Sequence, residues 1–120
     1  VDVGTTFLNP QLAVMEVASC ALVLTLPEIL AVNQTMKMLN QLMGMKFPSD
    51  MLQIVINKVG AGSQLNPQGV AQALRKNVVG LIPQDDTTAG AALARSTPFV
   101  ASQPRTAISV AFHETVRKLT

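Results

Sequence analysis

The chain has 120 residues and a formal net charge of +2, and 48% of its residues are hydrophobic and 13% charged. The length fits one compact domain, and the high hydrophobic and low charged content excludes a disordered chain. Its nine basic residues are scattered along the sequence, whereas a nucleic-acid surface needs clustered basic residues with aromatics, so the sequence shows no clear nucleic-acid surface. One cysteine excludes an internal disulfide, and no apolar stretch reaches the ~20 residues of a membrane span, so we predict a soluble, cytoplasmic protein.

The first predicted element is the end of a strand at Val1-Asp2-Val3, followed by a turn at Gly4-Thr5-Thr6. Because a folded chain rarely opens on a core strand, we expect further residues before Val1. Asp2 is an acid at a strand end, where a carboxylate can hold Mg²⁺ beside bound phosphates, although a turn residue has the same appearance. Asn9-Pro10 then begins a helix that continues to about Val17, since proline is favoured at the first helical position.

The apolar run from Ser19 to Leu26 has the length of a strand. It contains Cys20, which we expect to be buried as a small hydrophobic residue. Pro27-Glu28 ends the strand and opens a helix to about Met43, with Gly44 predicted as its C-cap. One apolar stripe is predicted along this helix, formed by Ile29, Val32, Met36, Leu39 and Met43.

The central strand is predicted at Leu52 to Ile56, a β-branched apolar run that ends on Asn57. In open α/β sheets the ligand crevice lies at the carboxyl ends of such strands. A side-chain amide can match the donors and acceptors of a nucleotide base, and an asparagine that caps a turn has the same signature. The following glycines, Gly60-Ala61-Gly62, form an incomplete dinucleotide pattern because Leu65 occupies the third glycine position.

Asn66-Pro67 begins a short helix to about Lys76, and Val78 to Ile82 is the next strand. Pro83-Gln84-Asp85-Asp86 closes this strand. Asp86 is predicted as an N-cap or first-turn acid of the helix from Thr87 to Arg95, and the role of Asp85 stays open. Ser96 to Pro104 is predicted as a loop.

The last predicted helix extends from Arg105 to Leu119. Its predicted apolar side is formed by Ile108, Ala111, Phe112, Val116 and Leu119. Strands that alternate with helices predict a single α/β domain over residues 1–120, with a parallel sheet covered by helices on both faces.

Several signatures of catalysis are missing from the sequence. It contains no Gly-x-x-x-x-Gly-Lys-Ser/Thr loop, no Cys/His or Ser/His/Asp set and no metal-ligand spacing. We therefore do not expect this chain alone to hydrolyse a nucleoside triphosphate. Two further interpretations stay open: a non-catalytic α/β interaction module and, with less support, an NAD-binding enzyme.

Taken together, the segments resemble the C-terminal half of the MinD/ParA-type P-loop ATPases with a deviant Walker A loop, and most closely their CpaE-like branch, linked to pilus assembly. Val1-Asp2 is similar to the end of the Walker B strand, and Ala18 to Glu28 to the family's "Ala-Asp-x-Val-Leu-Leu-Val-Thr-x-Pro-Glu" strand. Ile54 to Lys58 is similar to "Val-Leu-Asn-Arg", and Gly80 to Asp85 to "Ile-Pro-x-Asp".

The resemblance implies a P-loop NTPase-like, Rossmann-like three-layer fold from which the N-terminal P-loop half is absent. It implies ATP or ADP with Mg²⁺ as ligands, with Asp2 as the Walker B acid near the metal. The base would lie against Asn57, Lys58, Ile82, Pro83 and Asp85. It also implies a homodimer, protein partners in a positioning, pilus or secretion system, and a cytoplasmic location that is polar or membrane-peripheral through those partners.

Overall fold

The computed structural model describes residues 1–5 and 7–120. Thr6, part of the predicted Gly4-Thr5-Thr6 turn, lies outside the described residues. The elements follow the chain as α1 (Asn9–Val17), β1 (Ala21–Thr25), α2 (Ile29–Gly44), a 3-10 turn (Ser49–Met51), β2 (Leu52–Val59), α3 (Pro67–Leu74), β3 (Val78–Pro83), α4 (Asp86–Arg95), α5 (Phe99–Ser102) and α6 (Ala107–Leu119). None of the helices in these two ranges is long and apolar enough to cross a membrane.

The described strands form one parallel sheet in the order β1-β2-β3, with β2 in the centre. The predicted parallel α/β sheet is therefore confirmed. The predicted strand at Val1-Asp2-Val3 is wrong, since these residues carry no strand. A local turn takes its place, because the Asp2 carboxylate accepts a hydrogen bond from the Gly4 N–H at 3.0 Å and Gly4 adopts a φ of 69°.

The main core lies on one face of the sheet, between the strands and helices α1 to α3. Ile54 and Ile56 of β2 have no exposed surface there, because both neighbouring strands and the helices surround them. This core consists of Met15, Val23, Val32, Leu39, Leu42, Leu52, Ile54, Ile56, Val70 and Leu74. Its aliphatic composition agrees with a sequence that has only 3% aromatic residues.

A smaller core lies on the opposite face, where Val55, Ile82 and Ile108 pack together. Successive strand residues point to opposite faces, which is why Val55 lies here and its two neighbours lie in the main core. Helices on both faces are thus confirmed, but the second face is covered incompletely. On this face Leu22 and Leu24 of β1 are 40% and 61% exposed.

The buried side of α2 differs from the predicted stripe. The helix buries Val32, Thr35, Leu39 and Leu42, whereas Ile29 is 58% exposed. Met36 and Met43 are also exposed. The buried side of the helix is therefore rotated relative to the predicted stripe, so that it includes Thr35. This polar residue can occupy a core position because its hydroxyl forms hydrogen bonds with Thr25 and Ala31 inside the protein,. Gly44 is the last residue of α2 and not its C-cap; Met45 has that position.

The last helix and the segment before it also differ from prediction. In α6 the buried residues are Ile108, Ser109 and Thr115, while Phe112 and Val116 are exposed. The predicted loop contains α5, whose Phe99 ring lies 5.5 Å from the ring of Phe112.

Cys20 precedes β1 and is half-buried, so its predicted place inside a strand is wrong. The apolar run around it does form a strand, but one that begins only at Ala21.

Candidate functional site

A groove of about 580 Å³ opens at the carboxyl ends of β1 and β2, between these strands and α2. Its size is within the range of small-molecule sites, about 300–1,000 Å³. It is lined by Thr5, Leu24, Thr25, Leu26, Ala31, Gln34, Thr35, Lys37, Met38, Gln41 and Asn57. The position agrees with the rule that open α/β sheets bind ligands at the carboxyl ends of their strands.

One wall of the groove is a polar stripe on α2, formed by Gln34, Lys37 and Gln41. Spacings of three and four residues place these side chains on one face of the helix. Two amides and one ammonium group can donate to oxygen acceptors, and the amide oxygens can also accept. Sequence reasoning missed this stripe because it considered only the apolar residues of the same helix; the polar spacing was a usable signal.

The floor of the groove contains a buried pair of hydroxyl groups from Thr25 and Thr35. Their oxygens lie 2.9 Å apart, and Thr35 Oγ1 also donates to the Ala31 carbonyl at 2.8 Å. Thr25 and Thr35 are only 4% and 5% exposed. The pair fixes the end of β1 to the second turn of α2, so it sets the width of the groove at its closed side.

Asn57 lies beside this floor, on β2, and it lines the groove as a half-buried side chain. The prediction that the strand ends before it is wrong, since β2 continues to Val59. The side-chain oxygen Oδ1 of Asn57 accepts from the Lys58 N–H at 2.9 Å. The only hydrogen bond of the Asn57 side chain among the described residues is made by Oδ1, so the side-chain nitrogen Nδ2 is a donor available to a ligand in the groove,.

Lys58 follows with a left-handed backbone, φ 55°. The register of β2 with β3 shifts at this point, between Ile56 and Val59. Such an irregularity turns a side chain away from the regular alternation of a strand. Lys58 is exposed and is not part of the groove wall.

The loop after β2 is joined to the beginning of α2. The Gly60 N–H donates to Ser63 Oγ at 3.0 Å, which closes a tight turn. Gln64 Oε1 then accepts from the Ile29 N–H at 3.0 Å, and the Leu65 N–H donates to the Pro27 carbonyl at 3.1 Å. The glycine-rich segment thus serves as a connection between two loops, and α3 begins only after it, at Pro67 with Asn66 as its cap.

The remaining predicted base contacts lie at the end of β3, away from the groove. The Ile82 side chain is buried against Val55 and Ile108. Pro83 is aligned with Val59 in the parallel ladder. Neither Ile82 nor Pro83 lines the groove, so the structure brings only Asn57 of the five predicted contacts into it.

Asp85 caps α4, which settles its local role. Its carboxylate accepts from the Thr88 N–H at 2.9 Å and from the Thr88 hydroxyl at 2.5 Å. Hydrogen bonds from the Thr88 side chain and backbone favour the ionised carboxylate and hold the pKa of Asp85 below its usual value,. Asp86 is the first residue of α4 and an acid in its first turn, which confirms one of its two predicted roles, and Asp85 is the N-cap.

Asp2 is exposed and lies in the turn with Gly4. Across residues 1–5 and 7–120, no group of three or more His, Cys, Asp or Glu side chains is arranged to hold a metal ion. Mg²⁺ commonly keeps several waters and takes only one or two protein carboxylates beside the phosphates of a substrate. A single carboxylate at Asp2 fits that habit, and its metal role stays a prediction.

The chain is similar to known proteins in its three-dimensional structure and not in its sequence. No protein-family model matches the sequence, and no curated protein matches it. The fold is similar to MinD in the MinC:MinD cell division protein complex of Aquifex aeolicus, with a TM-score of 0.76 and 20% identity over 85% of this chain and 43% of that one.

Two further structures show the same likeness. A ParA family ATPase from Chlorobium tepidum TLS has a TM-score of 0.80 and 15% identity over 92% of this chain and 45% of that one. The septum site-determining protein MinD from Pyrococcus horikoshii OT3, complexed with Mg-ADP, has a TM-score of 0.76 and 20% identity over 94% of this chain and 46% of that one. The chain therefore has the fold of part of a MinD or ParA protein and spans less than half the length of these structures.

Proposed function

We propose that this chain is the C-terminal part of a ParA/MinD-type ATPase domain and supplies the base-binding side of its nucleotide site. The observation that carries the proposal is the shared fold, with TM-scores of 0.76 to 0.80, together with Asn57 at the carboxyl end of the central strand. One similar structure holds Mg-ADP. ATP or ADP with Mg²⁺ is accordingly the proposed ligand.

Three of the predicted residues, Asn57, Pro83 and Asp2, have a role in this proposal. The side-chain amide nitrogen of Asn57 donates to a ring nitrogen of adenine, and a base that extends beyond the groove contacts Pro83, which is half-buried at the end of β3. Asp2 holds Mg²⁺ beside the phosphates. The phosphates themselves need a loop that this sequence lacks, so the 120 residues alone bind the base weakly and do not hydrolyse ATP.

The cellular role follows from the same resemblance. The intact protein acts as a homodimer whose association depends on nucleotide, in a cytoplasmic or membrane-peripheral system for cellular positioning, pilus assembly or secretion. A CpaE-like protein of pilus assembly is the specific form that we propose. The MinC:MinD cell division protein complex among the similar structures supports a protein partner for the intact protein.

The experiment is an NMR titration of the ¹⁵N-labelled chain with Mg-ATP, Mg-ADP and NAD. We expect Mg-ATP and Mg-ADP to shift the amide signals of residues 57–60 and of Gln84 and Asp85, with little response to NAD. Asn57→Ala removes one base hydrogen bond and is expected to weaken binding by about 1–3 kcal/mol.

The matched control is Asn77→Ala. Asn77 is an exposed asparagine that immediately precedes β3, at the amino ends of the strands, so the same substitution there leaves the titration unchanged. Equal weakening by both variants would remove Asn57 from the site. The absence of any nucleotide-dependent shift would favour the alternative, a non-catalytic α/β interaction module.

A further inference from the structure

Gln84 follows β3 at the carboxyl ends of the strands, next to Pro83, and it is exposed. Its backbone N–H donates to the Val59 carbonyl at 2.9 Å, which fixes this residue to the end of the central strand. The side chain lies beside Gly60, since a Cβ added to Gly60 would be 4.0 Å from both Cβ and Oε1 of Gln84. A base that contacts Pro83, as proposed above, therefore passes close to the Gln84 amide.

The orientation of the Gln84 amide is set by Asp86. Gln84 Nε2 donates to Asp86 Oδ2 at 3.3 Å. A carboxylate only accepts hydrogen bonds, so it binds the nitrogen end of the amide and not the oxygen end. This is the only hydrogen bond of the Gln84 side chain among the described residues, and Oε1 is thereby left as an acceptor on the side of Gly60.

The Asn57 amide is held in the opposite sense. The Lys58 N–H can only donate, so it binds Oδ1 of Asn57 and leaves Nδ2 for a ligand,. The carboxyl ends of β2 and β3 thus offer one amide donor, from Asn57, and one amide acceptor, from Gln84. Neither amide can exchange its two ends without losing a hydrogen bond, so the pair presents a fixed pattern to a base.

We propose that Gln84 determines base specificity and selects adenine over guanine, an inference that rests on the proposed nucleotide function. Gln84 Oε1 accepts from the 6-amino group of adenine, while Asn57 Nδ2 donates to a ring nitrogen. Guanine carries an oxygen acceptor at the same position of its edge, which would place two acceptors against each other. The Asp85 carboxylate, which could otherwise accept from guanine, is already bound to Thr88.

The test is an NMR titration of the ¹⁵N-labelled chain with Mg-ATP, Mg-ITP and Mg-GTP, read as dissociation constants. The base of ITP carries the 6-oxo group of guanine and lacks its 2-amino group, so ITP tests position 6 of the purine. We expect ATP to bind about three- to tenfold more tightly than ITP or GTP, the effect of one net hydrogen bond.

Two variants test the two parts of the proposal. Gln84→Leu removes the acceptor and is expected to lower the preference for ATP over ITP below about twofold. Asp86→Asn leaves Gln84 in place but offers it an amide that donates as well as accepts, so Gln84 can turn and the preference falls in the same way. The matched control is Gln72→Leu, at an exposed position on α3, which keeps the preference. Circular dichroism checks that all three variants are folded.

The results separate this proposal from the function on which it rests. If Mg-ATP shifts no amide signal, both are overturned together. Similar dissociation constants for ATP, ITP and GTP, or a preference for ATP that persists in Gln84→Leu, would overturn the role of Gln84 and leave the proposed function standing. A preference that is lost in Gln84→Leu and kept in Asp86→Asn would overturn the orientation by Asp86.

Discussion

Gly80 is the point at which α6 rests on the sheet, and we expect Gly80→Ala to destabilise the fold. Gly80 is buried in β3 and aligned with Val55 of the central strand. An added Cβ would lie 2.7 Å from Cγ2 and 3.1 Å from Cβ of Thr115. Both distances are well inside the ~3.5–4.0 Å at which carbon atoms attract each other.

The magnitude follows from how little Thr115 can yield. Its hydroxyl donates to the Ala111 carbonyl at 2.8 Å, and threonine in a helix has few rotamers. The helix must therefore move away from β3 by several tenths of an ångström, which loosens the contact of Ile108 with the second core. Overpacking of this kind costs about 1–3 kcal/mol. Alanine recovers up to ~1 kcal/mol by restricting the unfolded chain, so we expect a net loss of about 1–2 kcal/mol.

The assay is urea unfolding followed by far-UV circular dichroism, since the chain has no Trp or Tyr for fluorescence,. The control is Gly90→Ala, in α4 with no atom within 4 Å of the new Cβ, which should stabilise by about 0.5–1 kcal/mol. Gly80→Ala combined with Thr115→Ala should lose less than the two single changes together. If Gly80→Ala unfolds at the same urea concentration as the unmodified chain, the direct contact between α6 and β3 is wrong.

Three smaller predictions concern single hydrogen bonds. Asp85→Asn should lower the free energy of unfolding near neutral pH, because the folded-state pKa of Asp85 is depressed. The stabilisation by the ionised carboxylate is complete above the ordinary carboxyl pKa of about 4 and is lost as the pH falls through the lower folded pKa. An equal difference in stability between the variant and the unmodified chain at about pH 7 and about pH 3 would contradict this. Ser109→Ala should cost about 0.5–1.5 kcal/mol in urea unfolding, because the fully buried Ser109 hydroxyl donates to the Gln103 carbonyl at 2.7 Å and that carbonyl keeps only its bonds from Thr106,. An unchanged unfolding midpoint would show that this hydrogen bond does not stabilise the fold. Gln64→Ala should speed amide exchange at Ile29, whose N–H it frees, and unchanged exchange there would mean that this bond does not form.

Where interactions between neighbouring residues decide the structure, the sequence alone was sufficient to predict it. Asn66-Pro67 begins α3 as predicted, because the Asn66 side chain accepts from the Gly69 N–H at 2.7 Å and proline suits the first turn,. The apolar run of the central strand likewise predicted its burial, and Ile54 and Ile56 have no exposed surface. The parallel α/β class followed from the alternation of such segments, and it is confirmed.

The sequence-based predictions were wrong where packing between segments distant in the chain decides the structure. The inward faces of α2 and α6 include Thr35 and Thr115, each satisfied by a backbone carbonyl four residues earlier, so hydropathy alone points to the wrong side. The place of Asp85 was left open because two adjacent acids match the same cap pattern. The shape of the groove depends on how α2 packs beside β1, and a local sequence pattern does not predict that packing.

The bond between Gln64 and Ile29 also bears on how the protein folds. Glu28 provides no side-chain cap for α2, and the substitute comes from a residue 35 positions later in the chain. During synthesis, α2 therefore leaves the ribosome before Gln64, the residue whose side chain accepts from the Ile29 N–H at its first turn. Until β2 and its loop have emerged, the start of this helix is expected to fray, so α2 and the central strand reach their final form as one cooperative unit.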